Sequence, residues 1–217
     1  RISKSKYHFF LALTAGLLLF LGIDAIEEAI VVSGENLAGS FNGVLLTVTV
    51  TVLSFLGLYY AGQKLIDNSQ FSRLSKPIAI ALMIAIGIGL HNFGEGLAIG
   101  AAVGLGSIAF STFLIVGFAL HNTTEGIAIA GPLSKDKTST RSLIGKLIGL
   151  GLIAGSPAIF GAWIGGFSYS PFSSVVFLAI GAGAIFQVII VIFRMIREEG
   201  DKNLSSASVV SGISIGM

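Results

Sequence analysis

The chain has 217 residues, of which 53% are hydrophobic and 11% are charged, with a formal net charge of +2 and a mean hydropathy of +0.91. Soluble domains carry about 25% charged residues and could not bury this much apolar surface, so the composition excludes an ordinary soluble protein and predicts an integral membrane protein. The absence of cysteine from the sequence excludes a disulfide framework and a thiolate metal site.

The apolar runs predict an all-α, polytopic membrane helix bundle with six complete transmembrane helices and the start of another. A run of about 20 apolar residues spans the hydrocarbon core of a bilayer, which is about 30 Å thick. The six runs lie at 8–31, 43–62, 78–102, 107–131, 143–166 and 172–196. We expect them to form a single transmembrane domain over residues 1–217, in which the apolar stretch 205–217 begins a further span. Because the chain opens at Arg1 and stops within an apolar run, we expect a fragment lacking sequence at both ends.

The positions of the basic residues predict the orientation of the spans. In the six-span arrangement, all 13 Lys and Arg lie before the first helix, around the loops after helices two and four, or at the end of helix six. All of them therefore lie on one side of the membrane, and the positive-inside rule makes that side cytoplasmic. We expect a protein of the plasma (inner) membrane, with its basic loops and the N-terminus of the fragment in the cytoplasm.

Two near-copies of one polar motif lie inside the third and fourth apolar runs. His91–Gly96 reads HNFGEG and His121–Gly126 reads HNTTEG, so each copy carries an imidazole, an amide and a carboxylate at i, i+1 and i+4. On a helix, i and i+4 lie on one face. At about 1.5 Å per residue, both copies fall near the middle of the bilayer, where a lone carboxylate costs at least about 2.5–3.5 kcal/mol. Each glutamate there needs a cation, a shared proton or water.

The chemistry of the two copies favours a site for a first-row divalent metal ion. Imidazole nitrogen combined with carboxylate and amide oxygen suits zinc, iron(II) or manganese better than calcium or magnesium. A single copy could equally be a structural His–Glu hydrogen bond, but two copies at matching depth favour the metal site. The candidate ligands are His91, Asn92, Glu95, His121, Asn122 and Glu125.

Further polar residues at membrane depth are candidates for a transport path. They are Asp24, Glu27, Glu28, Ser156 and Gln187. The acidic cluster on the first helix would attract cations, although a solvated cap at the membrane interface explains it equally well. Ser156 and Gln187 are as well explained by helix packing.

At the two motifs the sequence resembles the ZIP (Zrt/Irt-like) metal-ion transporters, whose fourth and fifth transmembrane helices carry an H-N-x-P-E-G motif and a related H-x-x-x-E motif. The resemblance extends over all six helices, which would be the family's second to seventh spans. It implies a largely helical, often dimeric transporter that moves zinc, iron or manganese toward the cytosol. Gly94 and Thr124 stand where the family commonly has proline. Ser156-Pro157 stands where many members have a Glu-Pro pair, which puts a second metal site in doubt.

We therefore predict that the protein is not an enzyme but transports divalent transition-metal ions toward the cytosol. The metal is the substrate, zinc first and iron or manganese next, and no organic cofactor is expected. The expected partners are the lipid bilayer, the metal ions and a second copy of the chain in a homodimer, with no nucleic acid. The alternatives are an intramembrane metal-dependent hydrolase and a proton- or haem-handling protein. Neither motif is H-E-x-x-H, and haem ligation does not explain why each histidine has its own Asn and Glu.

Overall fold

The computed structural model describes residues 4–37, 42–67, 75–104, 106–133, 140–168 and 170–199, together with positions 211 and 214. Within these ranges the chain forms six helices and no strand. They are α1 (Lys4–Leu37), α2 (Gly43–Asp67), α3 (Lys76–Gly104), α4 (Ile108–Leu133), α5 (Thr140–Phe167) and α6 (Pro171–Glu199). All six are long and apolar enough to cross a membrane, which confirms the predicted all-α polytopic bundle and its six complete spans. The predicted partial span at 205–217 lies outside the described residues, apart from positions 211 and 214.

The helices extend beyond the predicted runs, and α1 differs most. It continues through Ser33 to Leu37, whereas the sequence predicted that the first run ends at residue 31. The Ser33 side chain is buried, and its hydroxyl donates to the Ile30 carbonyl oxygen at 2.9 Å. A Cβ on Gly43 would overlap that side chain, so the ends of α1 and α2 meet here. The helix continues past the predicted run because a serine satisfied by its own helix does not end that helix.

A tight turn connects α3 to α4. Gly106 adopts a positive φ of 75°, and its N–H donates to the Val103 carbonyl at 2.9 Å. The Ser107 N–H donates to the Ala102 carbonyl, also at 2.9 Å. These two bonds form a Schellman closure, which needs a residue such as glycine in the left-handed region. We call the end of the bundle that contains this turn the turn end, and the opposite end, where Lys64 and Arg197 lie, the basic end.

Helix α3 lies at the centre of the bundle. It packs most extensively against α5 and also contacts α6 and α4, while α6 packs against α1, α2 and α3. Helices α2, α4 and α5 leave most of their residues outside the buried core, and their exposed side chains are largely apolar, as expected for surfaces that face lipid. The fully buried side chains shared by α1, α3 and α6 include Leu11, Leu18, Ile84, Ile88, Ile185 and Val188.

The contact between α3 and α5 is built from glycine. A Cβ on Gly96 would overlap the Ala158 carbonyl, and one on Gly100 would overlap the Ala162 carbonyl. In the opposite direction, Gly161 and Gly165 of α5 lie directly against the backbone of α3. Small residues four apart allow two membrane helices to approach through their backbones, which gives extensive van der Waals contact without large side chains. This contact fixes one face of α3 against α5.

Candidate functional site

The centre of the site is a contact between His91 and Glu95 on α3. The two residues are one turn apart, and the His91 Nε2 atom lies 2.9 Å from the Glu95 Oε1 atom. Both side chains are about 6% exposed, deep within a helix that is otherwise almost entirely apolar at this level. The structure therefore places these two residues, four positions apart, on one face of the helix, as expected. The pair presents one imidazole and one carboxylate together in the interior of the bundle.

Further acidic groups surround this pair. Glu125 on α4 is 2% exposed, and both Glu125 and Asp24 of α1 lie within electrostatic reach of the His91 imidazole. The backbone of His121 belongs to α4, but its side chain lies outside the part of the chain that the structure describes. Among the described side chains, no three histidine, aspartate or glutamate residues form a group that could hold a metal ion. The complete ligand set stays a prediction, of which the structure brings His91 and Glu95 into direct contact.

The two asparagines of the motifs lie in different surroundings. Asn92 donates its side-chain Nδ2 hydrogen to the Ala154 carbonyl of α5 at 3.0 Å. Because a carbonyl oxygen only accepts hydrogen bonds, this contact fixes the orientation of the amide. The buried Oδ1 atoms of Asn92 and of Asn122 have no hydrogen-bond partner among the described residues. Buried acceptors without a donor are rare in proteins, and each such oxygen is suited to a cation or a donor that approaches it.

A cavity of about 570 Å³ reaches the His91–Glu95 pair from the turn end of the bundle. Ala102, Ser107 and Ser174 line it near the turn end, where the end of α3 and the starts of α4 and α6 meet. Asp24 and Glu28 of α1 line its side. No lysine or arginine is among the described lining residues, and the basic side chain that lines the cavity, His91, contacts Glu95 rather than Asp24 or Glu28.

The other residues predicted for the transport path do not line this cavity. Glu27 is exposed on α1 but does not line it, although both acidic neighbours in the cluster do. Gln187 is buried in α6, and its Oε1 atom lies 3.4 Å from the position of a Cβ on Gly87, in the contact between α3 and α6. Ser156 is half-buried on α5 beside Pro157, which α5 accommodates without ending. For Gln187 the position matches the packing explanation.

From α6 the sequence analysis named Gln187 alone and missed the residues by which this helix forms a wall of the site. Leu178 and Gly181 line the cavity, and a Cβ on Gly181 would lie 3.4 Å from the His91 Cα atom. Gly181 therefore leaves room for the histidine. The available signal was the stretch of small residues at 181–184, which reads GAGA within an apolar run.

No known protein-family model matches the chain, and no curated protein matches it. The class of protein therefore follows from the fold and the cavity alone. Over the residues that the structure describes, the chain is an all-α integral membrane protein with six helices long and apolar enough to span, and with an acid-lined cavity that ends on a buried imidazole–carboxylate pair.

Proposed function

We propose that this chain transports divalent transition-metal ions, with zinc as the first candidate and iron or manganese next, through the His91–Glu95 pair. The observation that carries the proposal is the cavity, which connects the turn end of the bundle to that pair along a wall that includes Asp24 and Glu28. Carboxylates along a cavity concentrate cations and raise their rate of approach. An imidazole with carboxylates then offers a partly dehydrated ion the ligands that zinc prefers.

We infer that the remaining predicted ligands would complete the set around a bound ion. An ion at the pair would replace the contact between His91 and Glu95, and the buried carboxylate of Glu125 would have to move toward it to become a further ligand. We assign His121, Asn92 and Asn122 to the same set on the strength of the repeated motif. The unpartnered oxygens of the two asparagines support this assignment, because a cation would satisfy them.

The shape of the cavity supports a transport cycle in which the pair is accessible from one end of the bundle at a time. The cavity reaches His91 and Glu95 from the turn end. Toward the basic end, the next turns of α3 carry Ile84 and Ile88, which are 0% and 2% exposed in the shared core. An ion at the pair would therefore need a conformational change before release. We assign the basic end to the cytosol by the positive-inside rule, which makes the direction of transport inward.

The test is metal flux into sealed liposomes that contain the purified chain and an internal zinc indicator. We expect zinc uptake by the native protein and a loss of about tenfold or more for Glu95→Gln, because the substitution removes an anionic ligand and keeps the side-chain shape. Glu27→Gln is the matched control, since it also removes one carboxylate but from a position outside the cavity. Its flux should stay within about twofold of the native value, because Glu27 does not line the route to the pair.

The outcomes separate the two parts of the proposal. Absence of zinc, iron and manganese flux for the native protein would refute transport. Native flux in Glu95→Gln would refute the assigned site while leaving transport in place. Flux through sealed liposomes also distinguishes a transporter from an intramembrane hydrolase, which would cleave a substrate without moving the ion.

A further inference from the structure

The cavity is much larger than a metal ion requires. A divalent ion with about six waters of about 30 Å³ each occupies about 180 Å³. The cavity measures about 570 Å³, which falls within the range of about 300–1,000 Å³ that sites for small organic molecules occupy. A hydrated ion would therefore fill about a third of it and would leave the remaining wall without contacts.

The wall of the cavity has two chemically different parts. Asp24 and Glu28, one helical turn apart on α1, form an acidic strip, and Glu95 adds a third carboxylate at the inner end. The facing wall is apolar and includes Leu97, Leu114, Phe118 and Leu178 from α3, α4 and α6. An anion would be repelled by this arrangement, and a neutral apolar molecule would leave the carboxylates without a counter-charge. A cation with an apolar body matches both parts.

We propose that the cavity binds an amphiphilic organic ammonium ion, with its nitrogen at Asp24 and Glu28 and its apolar body against the wall formed by Leu114, Phe118 and Leu178. This binding is separate from metal transport and requires no metal. If the chain also transports metal ions, such a cation occupies their route and inhibits flux. Charge at the α1 strip provides recognition, and burial of the apolar body provides affinity.

The test is equilibrium binding of 1-naphthylmethylammonium to the full chain in nanodiscs of zwitterionic lipid, without metal. We expect saturable binding at one site per chain, and no saturable binding of the uncharged analogue 1-naphthylmethanol. The double variant Asp24→Asn/Glu28→Gln should weaken binding by about tenfold or more, because both carboxylates that face the ammonium are lost. Glu27→Gln should bind as the native protein does, since Glu27 does not line the cavity.

A second variant tests the apolar part without changing charge. Ala98 lines the cavity, and Ala98→Trp should fill part of it and abolish binding while all three carboxylates remain. Equal binding of the ammonium ion and the alcohol would overturn the proposal, as would equal losses in Glu27→Gln and the double variant. Native binding by Ala98→Trp would also overturn it, because the probe would then lie elsewhere. Binding without metal flux would refute the transport function alone, and flux without binding would refute this inference alone.

Discussion

The two copies of the polar motif are similar in sequence but lie in different surroundings. In the first copy, His91, Asn92 and Glu95 are all buried on α3, where α5, α6 and the cavity surround them. In the second copy, on α4, Thr123 and Gly126 are exposed. Glu125 is the buried carboxylate of that copy. The repeat therefore does not create two equivalent half-sites.

The difference follows from which helices surround each copy. Helix α3 contacts helices on several sides, whereas α4 lies mainly against α3 and less against α1 and α5. One face of the second copy is therefore turned inward, and the opposite face is on the surface of the bundle. The first copy packs against α5 and α6 and lines the cavity, whereas the second copy buries Glu125 on its inner side. Substitutions at matched positions in the two copies test this asymmetry.

The largest difference is expected at the final glycine of each copy. Gly96→Ala should destabilise the protein by about 1–3 kcal/mol, because its Cβ would overlap the Ala158 carbonyl and a backbone cannot easily move aside. Gly126→Ala meets nothing within 4 Å and should be neutral or stabilise by up to about 1 kcal/mol through its helix propensity. Thermal unfolding of the two purified variants measures both. Equal shifts would show that the α3–α5 contact is not as close as described.

A smaller difference is expected at the asparagines. Asn92→Ala removes the 3.0 Å hydrogen bond to Ala154 and should destabilise by about 0.6–1.7 kcal/mol, the range found for hydrogen bonds between membrane helices. Asn122→Ala should change stability less, because the Asn122 Oδ1 atom has no partner among the described residues. Unfolding and zinc flux are measured on both variants. A loss of flux in Asn122→Ala with native stability would support a direct role toward the ion, whereas equal destabilisation would contradict the asymmetry.

The sequence predicted the spans well because length and polarity are local properties. A run of about 20 apolar residues must form a helix in a membrane, whatever its neighbours are. The contact between His91 and Glu95 was predictable for the same reason, since it depends only on helix periodicity. The sequence showed the acidic cluster at Asp24–Glu28. It did not show that Asp24 and Glu28 line the cavity whereas Glu27 does not.

The arrangement of the helices could not be predicted, because it depends on residues far apart in the chain. The motifs place the candidate ligands on α3 and α4, whereas α3 packs most extensively against α5. Each of these two helices carries a pair of glycines four residues apart, Gly96 and Gly100 on α3 and Gly161 and Gly165 on α5. Such spacing is typical of membrane helices in close contact. The hydropathy of the sequence does not show which two helices with such glycine pairs contact each other. The cavity was unpredictable for the same reason, since its walls come from four helices.

The smallest difference is expected at the third position of each copy. The Phe93 ring lies 4.7 Å from the Phe177 ring of α6, centroid to centroid, so Phe93→Leu should cost about 0.5–1.5 kcal/mol by removing an aromatic pair while keeping an apolar side chain. The exposed Thr123 hydroxyl donates to the Ala119 carbonyl of its own helix at 3.0 Å. Thr123→Val should therefore stay within about 0.5 kcal/mol of the native stability. If thermal unfolding showed the larger loss for Thr123→Val, the outer face of α4 would have to be covered by a partner, and the second copy would be as enclosed as the first.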